Sequence, residues 1–258
     1  MVWLLVLGLT ALSTAAQAHD AGAGALDIST LTVGTPATIA DLSKLKGDLD
    51  QLSWSADGSQ LYVEAIEGKG LAQHYLIAVD GGKVTKVDAR PAWATEFWKF
   101  KSDRYAPGME SLVIDVQQKY EEVRYGTGSA GTNREAGGDT GSNNTAGSSV
   151  GNVSRAAASS TQNVVRFLLL GETIGMWVDK TPVPGVTFSW GPSGSGAIAY
   201  VDEKGQLALL DNHSHRRRID GTRDVYLPAW SMDGSRLAYL YKAGRNKYML
   251  AWSAVTRP

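Results

Sequence analysis

The sequence predicts an all-β fold, a small β-propeller of about five blades, with four blades as the alternative number. One observation is a repeated segment, because residues 52–63 (LSWSADGSQLYV) return as residues 229–239 (AWSMDGSRLAY). A second is that short runs rich in Val, Ile, Tyr and Trp are separated by Asp-Gly or Gly-Gly pairs, as in antiparallel hairpins. A third is a repeat period of about 40 residues, typical of strand-built units that stack on copies of themselves.

The spacing of four tryptophans gives the number of units. Trp93 follows Trp54, and Trp230 follows Trp190, at the same interval of about 40 residues, the length of a propeller blade. The interval from Trp93 to Trp190 holds two such periods and a remainder of less than half a period, so one unit without its tryptophan fits there. Five units result, or four if the insertion between Trp93 and Trp190 is longer.

The repeats place the strands in order along the chain. Residues 52–89 form a first unit of four short strands around an Asp-Gly and a Gly-Gly turn. The second unit opens at Pro91-Ala92-Trp93 and continues with a strand over residues 96–101. The third clear unit opens at residues 188–190, and the last opens at residues 228–230.

An additional strand is expected before the first repeat, over residues 35–45. The last unit has sequence for only three strands, so this N-terminal strand can supply the fourth by pairing with the C-terminal blade. Such pairing would close the ring and remove an unpaired edge that could recruit other chains.

A composition change marks an insertion over residues 126–162, which are almost wholly Gly, Ser, Thr, Asn and Ala. Such a segment cannot bury enough apolar surface to offset a backbone entropy of roughly 1 to 2 kcal/mol per residue. We therefore expect a disordered loop inside a single propeller domain over residues 19–258.

The N-terminus is expected to be a signal peptide over residues 1–18. Residues 2–16 are apolar and lead into Ala16-Gln17-Ala18, a cleavage pattern of the A-x-A type. No Lys or Arg precedes the apolar stretch, so a retained anchor is the alternative. The apolar span is shorter than the roughly 20 residues that a transmembrane helix needs, so no stable membrane span is expected after cleavage.

The overall charge argues against a nucleic-acid partner. Lys and Arg number 25 against 26 Asp and Glu, so no positive field would gather phosphates. The basic run over residues 216–218 is expected in a solvated turn. There is no cysteine, which excludes disulfides and thiolate metal sites.

The repeat pattern W-S-x-D-G-S-x-L-x-Y resembles the TolB-type, WD-like propeller repeat of bacterial periplasmic proteins, which also occurs in the propellers of prolyl-oligopeptidase-like enzymes. The copies at Trp54 and Trp230 match closely. The copy at Trp190 keeps the tryptophan and the turn but lacks the Asp, and the copy at Trp93 keeps only Pro-Ala-Trp.

The resemblance covers roughly residues 36–125 and 164–258. It implies a propeller in a periplasmic setting, with protein partners in the cell envelope. TolB-like proteins carry an additional N-terminal domain and usually more blades, so the resemblance does not extend to a particular partner.

The repeat residues are expected to be structural. Tryptophan is large and flat enough to fill the wedge between neighbouring blades, while Asp accepts backbone hydrogen bonds in the turn and Gly tolerates positive φ. These residues are Trp54, Asp57, Gly58, Trp93, Trp190, Trp230, Asp233 and Gly234.

No catalytic, cofactor or metal site is expected. The chain has no G-x-S-x-G elbow, and its 258 residues hold no α/β-hydrolase domain. A G-x-G-x-x-G match at residues 126–131 is not followed by a helical pattern, so it does not predict a dinucleotide site. His213 and His215, with Asp211 close by, form a conceivable metal corner, but a polar turn beside three arginines favours a solvated turn.

The most site-like grouping combines exposed aromatic and charged residues, a common composition of recognition surfaces. Its members, the candidate binding surface, are Trp98, Tyr105, Glu96 and Asp103.

The sequence thus favours a non-enzymatic, exported propeller that binds a protein or peptide. One alternative is a small propeller hydrolase or lyase, which would need Glu96, Asp103, Glu110, Asp202 and Asp224 to converge in one pocket. Another is a propeller that gates substrates for a separate peptidase.

Overall fold

The computed structural model describes residues 25–68, 70–121, 160–179 and 187–258. The expected signal peptide lies outside the described residues, as does most of the expected insertion, although its last three residues begin a strand. The chain divides into two compact units, residues 1–117 with 163–258, and residues 118–162. Of the second unit, the structure describes only the end of one strand and the start of another.

Four antiparallel sheets and one α-helix make up the regular structure of the described residues. This is a mostly β protein. The described residues form four sheets, and four was the alternative number of units in the sequence analysis. The described residues between Trp93 and Trp190 form most of one helix and one sheet with long strands.

The first sheet is the first complete repeat. Its strands follow one another in chain order as a meander, and each pairs with the next. They are β3 (Asp48–Trp54), β4 (Gln60–Glu67), β5 (Leu71–Ala78) and β6 (Val84–Val87).

A helix, α1 (Ala92–Ser102), follows the first sheet, and here the expected strand over residues 96–101 is wrong. The alternation of polar and apolar residues in this segment resembles a strand, but Ala94, Phe97 and Lys101 are all buried at the spacing of one helix face. Pro91 precedes the helix, and no Gly or Pro interrupts the segment after it. Two Lys side chains in the last turn interact favourably with the helix dipole.

The second and third sheets are also four-stranded meanders. The second contains β7 (Tyr105–Ala106), β8 (Met109–Glu121), β9 (Ser160–Leu169) and β10 (Glu172–Asp179). The third contains β11 (Phe188–Trp190), β12 (Ala197–Val201), β13 (Leu207–Asp211) and β14 (Arg216–Arg218). The three arginines, expected in a turn, therefore form an exposed strand that pairs with β13.

The fourth sheet combines the two ends of the chain. It contains β15 (Val225–Trp230), β16 (Arg236–Gly244), β17 (Lys247–Thr256), β1 (Thr32–Val33) and β2 (Ala37–Asp41). Both N-terminal strands pair with β17, so the expected pairing of the N-terminal strand with the last unit is present.

Three hydrophobic clusters join the sheets within the larger unit. One cluster combines residues of the second and third sheets around Trp190, and another joins the third and fourth sheets around Trp230. The remaining cluster joins the fourth and first sheets around Trp54 and includes Phe97 from α1. Each of these tryptophan side chains is therefore shared by two sheets.

Turns of successive sheets also touch one another. The amide of Gly194 donates to the carbonyl of Pro107 at 2.7 Å, which joins the third sheet to the second. A Cβ at Gly234 would lie only 2.5 Å from Cγ of Pro192, so glycine is required for this approach of the fourth sheet to the third. Arg236 of the fourth sheet donates to the carbonyl of Gly58 in the first.

Lys101 of α1 is fully buried beside the fourth sheet. Its Nζ donates to the carbonyl of Pro228 in β15 at 2.7 Å and lies 4.5 Å from the ring of Trp98. The helix itself packs on β3 and β11. Burial lowers the pKa of Lys101 to about 7, because its charged form loses its hydration.

Removing residues 19–46 should leave a protein that aggregates. β17 would lose both N-terminal partners and expose an unpaired edge, and the clusters would lose Leu26, Ile28 and Leu42. Size-exclusion chromatography with light scattering would measure this, with removal of residues 1–24 as the control. A soluble monomer with the thermal midpoint of the full chain would contradict this role of the N-terminal strands.

Lys101 should make the stability of the protein rise with pH above about 7. The unfolded chain keeps the lysine proton up to a pKa of 10.5 while the folded chain releases it, so unfolding takes up a proton in this window. This contributes at most about 1.4 kcal/mol of unfolding free energy per pH unit. Urea unfolding between pH 7.5 and 9.5 should show a smaller pH dependence for Lys101→Met than for the exposed control Lys99→Met. Equal slopes in the two variants would refute it.

Candidate functional site

A cavity of about 410 Å³ is lined by residues of the third and fourth sheets, with Val178 from the second. Tyr226 and Lys242 come from β15 and β16, and Tyr248 comes from β17. The turns at the carboxyl end of β12 and before β15 contribute Asp202, Lys204 and Asp224. We call this site the β15 cavity.

The backbone of β15 is strained beside the cavity. Asp224 and Leu227 have φ of 50° and 49°, a left-handed conformation that aspartate tolerates better than leucine does. The pairing of β15 with β16 shifts register between Tyr226 and Ala229, which marks a β-bulge. The Leu227 side chain is fully buried, so packing holds this conformation in place. Strain of this kind is concentrated at functional sites.

Two tyrosines form the aromatic part of the wall. The rings of Tyr226 and Tyr248 meet edge to face, with centroids 6.0 Å apart. Within the described ranges, the Tyr226 hydroxyl is buried and has no hydrogen-bond partner. Burial raises the pKa of Tyr226, and the charges of Tyr248 and Asp48 raise it further, so the phenol is neutral at physiological pH. An unpartnered buried hydroxyl is costly unless a ligand or water engages it.

The charged residues of the cavity wall differ in their exposure and in the hydrogen bonds and ion pairs that they form. The Asp202 carboxylate is fully buried and accepts from Arg218 Nε at 2.7 Å and from the amides of Lys204 and Gln206 at 2.9 Å. Asp224 is exposed and lies 3.7 Å from its neighbour Arg223. Lys204 and Lys242 are exposed as well. Asp202 therefore maintains the turn, and the wall presents two exposed lysines, one exposed aspartate and two aromatic rings to a ligand.

The candidate binding surface from the sequence is only partly brought together. Asp103 and Tyr105 line a second hollow of about 700 Å³, together with Lys99, Phe100 and Glu110. Trp98 instead packs against the cluster between the first and fourth sheets.

Glu96 is exposed on α1 and is not among the residues that line this hollow. The helix accounts for this separation. Trp98 and Lys101, three residues apart, lie on one face, and Glu96 lies on another.

The five acidic residues required by a propeller hydrolase do not share one pocket. Asp103 and Glu110 line the second hollow, whereas Asp202 and Asp224 line the β15 cavity. Glu96 lies in neither lining.

The repeat residues Asp57 and Asp233 form matching turns. The carboxylate of Asp57 accepts from the Ser55 hydroxyl at 2.7 Å and from the Ser59 amide at 3.0 Å. These hydrogen bonds, that from the Ser55 hydroxyl first, lower the pKa of Asp57 to about 2. Asp233 accepts from the Ser231 hydroxyl at 2.6 Å and from the Ser235 amide at 3.0 Å.

Gly58 and Gly234 in these turns have φ of 68° and 77°, a conformation that glycine adopts readily. Both turns therefore use an Asp carboxylate that accepts hydrogen bonds and a Gly with positive φ.

The repeat tryptophans differ in their surroundings. The indole of Trp54 donates to the carbonyl of Ala229 at 2.8 Å, and that of Trp190 donates to the carbonyl of Asp103 at 2.7 Å. Trp230 donates within its own turn, to Gly234 at 3.1 Å. Trp93 lies on α1 rather than on a strand and meets the ring of Tyr62 edge to face.

Sequence reasoning missed Tyr226, Lys242 and Tyr248. Each lies in a run with ordinary strand character, and no local pattern distinguishes it from residues that pack in a sheet. The left-handed Leu227 also has no sequence signal, because leucine disfavours that conformation.

Comparisons with known proteins leave the family open. No protein-family model matches the chain, and no curated protein sequence matches it. None of the helices among the described residues is long and apolar enough to cross a membrane.

Solved structures give weak likenesses. An acylaminoacyl peptidase from Pyrococcus horikoshii is 12% identical over 77% of this chain and 28% of its own, with a TM-score of 0.29. An acylaminoacyl peptidase bound to Z-Gly-Gly-Phe-chloromethyl ketone is 12% identical over 77% and 29%, with a TM-score of 0.28.

A putative TolB from Agrobacterium tumefaciens is 13% identical over 88% of this chain and 69% of its own, also with a TM-score of 0.28. The chain thus spans less than a third of the peptidases. At these scores the likenesses carry no argument about activity.

Replacing Asp224 with glycine should change the free energy of unfolding by less than about 0.5 kcal/mol, because relief of the left-handed conformation offsets the added chain entropy of glycine. Asp220→Gly is the matched control, since Asp220 is also exposed but is not among the described residues with positive φ. The control should lose up to about 1 kcal/mol through added chain entropy. Chemical denaturation of both variants would measure the difference, and equal losses would contradict the strain at Asp224.

Proposed function

We propose that this chain is an exported β-propeller that acts without catalysis, as a binding module for a protein or peptide segment of the cell envelope. Two arguments support the propeller. The recurring Trp-containing unit lies in the first, third and fourth sheets, and hydrophobic clusters join the second sheet to the third, the third to the fourth and the fourth to the first. The N-terminal strands complete the last sheet, as expected when a ring of blades closes on itself.

The observation that carries the binding role is the β15 cavity. It combines an aromatic wall, an unpartnered tyrosine hydroxyl and a strained strand that lines it. Concave sites with apolar walls and a few polar groups are the usual form of ligand sites. The exposed part of the wall has a net positive charge, because it contains two lysines, Lys204 and Lys242, and one aspartate, Asp224. Asp202 does not alter this balance, since it is paired with Arg218. The cavity therefore suits a segment that carries a carboxylate beside an apolar or aromatic side chain.

The separation of acidic residues supports binding rather than hydrolysis. A pair of carboxylates that shares acid and base roles must flank one substrate bond. Here the candidate acids are divided between two hollows, and Asp202 is occupied by the hydrogen bonds of its turn. The proposal of export rests on the expected signal peptide.

Peptides selected from a random phage-displayed library test the proposal. We expect binders that contain an acidic residue next to an apolar one. Lys242→Glu should weaken their binding by about tenfold or more, because it reverses a charge that faces the ligand. Tyr226→Ala should weaken it by about tenfold through the loss of an aromatic ring from the cavity wall. Isothermal titration calorimetry would give the affinities.

Lys99→Glu is the matched control, because Lys99 is exposed and lines the second hollow instead. Its affinity should equal that of the unmodified chain. If Lys99→Glu weakens binding and Lys242→Glu does not, the second hollow is the site and the proposal is wrong. Recovery of cleaved peptides after incubation would support the hydrolase alternative.

A further inference from the structure

Three potential metal ligands from distant parts of the chain meet at one point. Asp27 precedes β1, Asp211 ends β13, and His215 lies in the turn that leads to β14. Nδ1 of His215 lies 3.0 Å from Oδ2 of Asp211 and 3.1 Å from Oδ1 of Asp27. The three ligand atoms all lie within 4.8 Å of one another.

The charges of this cluster are unbalanced. A single ring nitrogen carries at most one proton, so it can donate to only one of the two carboxylates that face it. Among the ion pairs of the described residues, neither carboxylate has a Lys or Arg partner. Arg218 is engaged by Asp202, and Arg217 donates to the carbonyl of Leu31.

We propose that Asp27, Asp211 and His215 bind one divalent transition-metal ion of the Zn²⁺ type. Zn²⁺ accepts imidazole nitrogen and carboxylate oxygen at about 2.0 to 2.2 Å, which separates neighbouring ligand atoms in a tetrahedron by about 3.3 Å. The separations of 3.0 and 3.1 Å from His215 Nδ1 to the two carboxylates are hydrogen-bond distances that lie slightly below this value, and the two carboxylate oxygens lie within 4.8 Å of each other. A dication would balance the charges of both carboxylates, and water would complete the coordination.

The buried ligand is already oriented by the fold. The amides of His213 and His215 donate to Oδ1 of Asp211, each at 2.9 Å, while the amide of Ile28 donates to Oδ2 at 3.0 Å. Such outer hydrogen bonds fix the direction of a ligating carboxylate. The Asp211 side chain is fully buried, so it needs little reorganisation to accept an ion.

The ion would join the N-terminal segment to the third sheet. This segment buries Leu26, Ile28 and Leu31 against the cluster between the third and fourth sheets. Because the chain has no cysteine, no disulfide can make this link. An ion that binds only the folded chain stabilises it in proportion to the logarithm of its free concentration.

Calorimetric titration with ZnCl₂ tests the site, using the full chain without a polyhistidine tag after treatment with a chelator and its removal. We expect one ion per chain. Asp27→Asn and His215→Gln should each weaken binding by about tenfold or more, since each removes a ligand. His213→Gln is the matched control, because its ring stacks on His215 but lies outside the cluster, and it should bind within about threefold of the unmodified chain.

Hydrogen exchange of residues 26–33 provides the second readout. Zinc should slow exchange there in the unmodified chain and leave it unchanged in Asp27→Asn. If zinc binds to Asp27→Asn as tightly as to the unmodified chain, or His213→Gln loses binding as His215→Gln does, a surface histidine pair accounts for the binding and the proposal is wrong. Absence of zinc binding to the unmodified chain would overturn it as well.

Discussion

The contact between neighbouring sheets through a shared tryptophan is the interaction on which the rest of this structure depends. Trp54 belongs to the first sheet, but its indole donates to Ala229 of the fourth, and both side chains lie in one cluster. Trp190 belongs to the third sheet and packs with residues of the second. A single four-stranded sheet cannot bury its face alone, so each core needs side chains from two sheets. This explains why the recurring unit is defined by Trp and by the Asp-Gly turn that follows it.

Several contacts between the sheets and the helix are made by β15, the first strand of the fourth sheet. The carbonyls of Pro228 and Ala229 accept hydrogen bonds from Lys101 and Trp54, which belong to other elements of the fold. A strand held from several sides can keep an unfavourable conformation, because relaxing it would break contacts elsewhere. The left-handed Leu227 is of this kind, and it directly follows Tyr226, which lines the β15 cavity. The features that join the sheets are thus also those that shape the candidate site.

Features that depend on a few adjacent residues could be predicted from the sequence, whereas features that depend on distant segments could not. The Asp57 and Asp233 turns follow from four or five adjacent residues, so their hydrogen bonds could be expected from composition. The pairing of β2 with β17 could be expected because the last unit is one strand short.

Helix α1 was missed because its polar and apolar residues fit both periods, and the packing of Phe97 and Lys101 against other sheets decides between them. The β15 cavity depends on segments that are far apart in sequence. No local signal marks it, and only two of the four residues of the candidate binding surface line the hollow near α1.

The aspartates of this chain illustrate how a fold limits the chemistry available to it. Asp57, Asp202 and Asp233 each use one carboxylate oxygen to accept backbone amides of a tight turn. Asp211 differs, because one oxygen holds its turn while the other faces His215 and the N-terminal segment. Asp224 differs again, because its strained backbone places an exposed carboxylate at a cavity. The proposals of ion binding at Asp211 and of ligand binding at the β15 cavity therefore rest on contacts that lie outside the repeated turns.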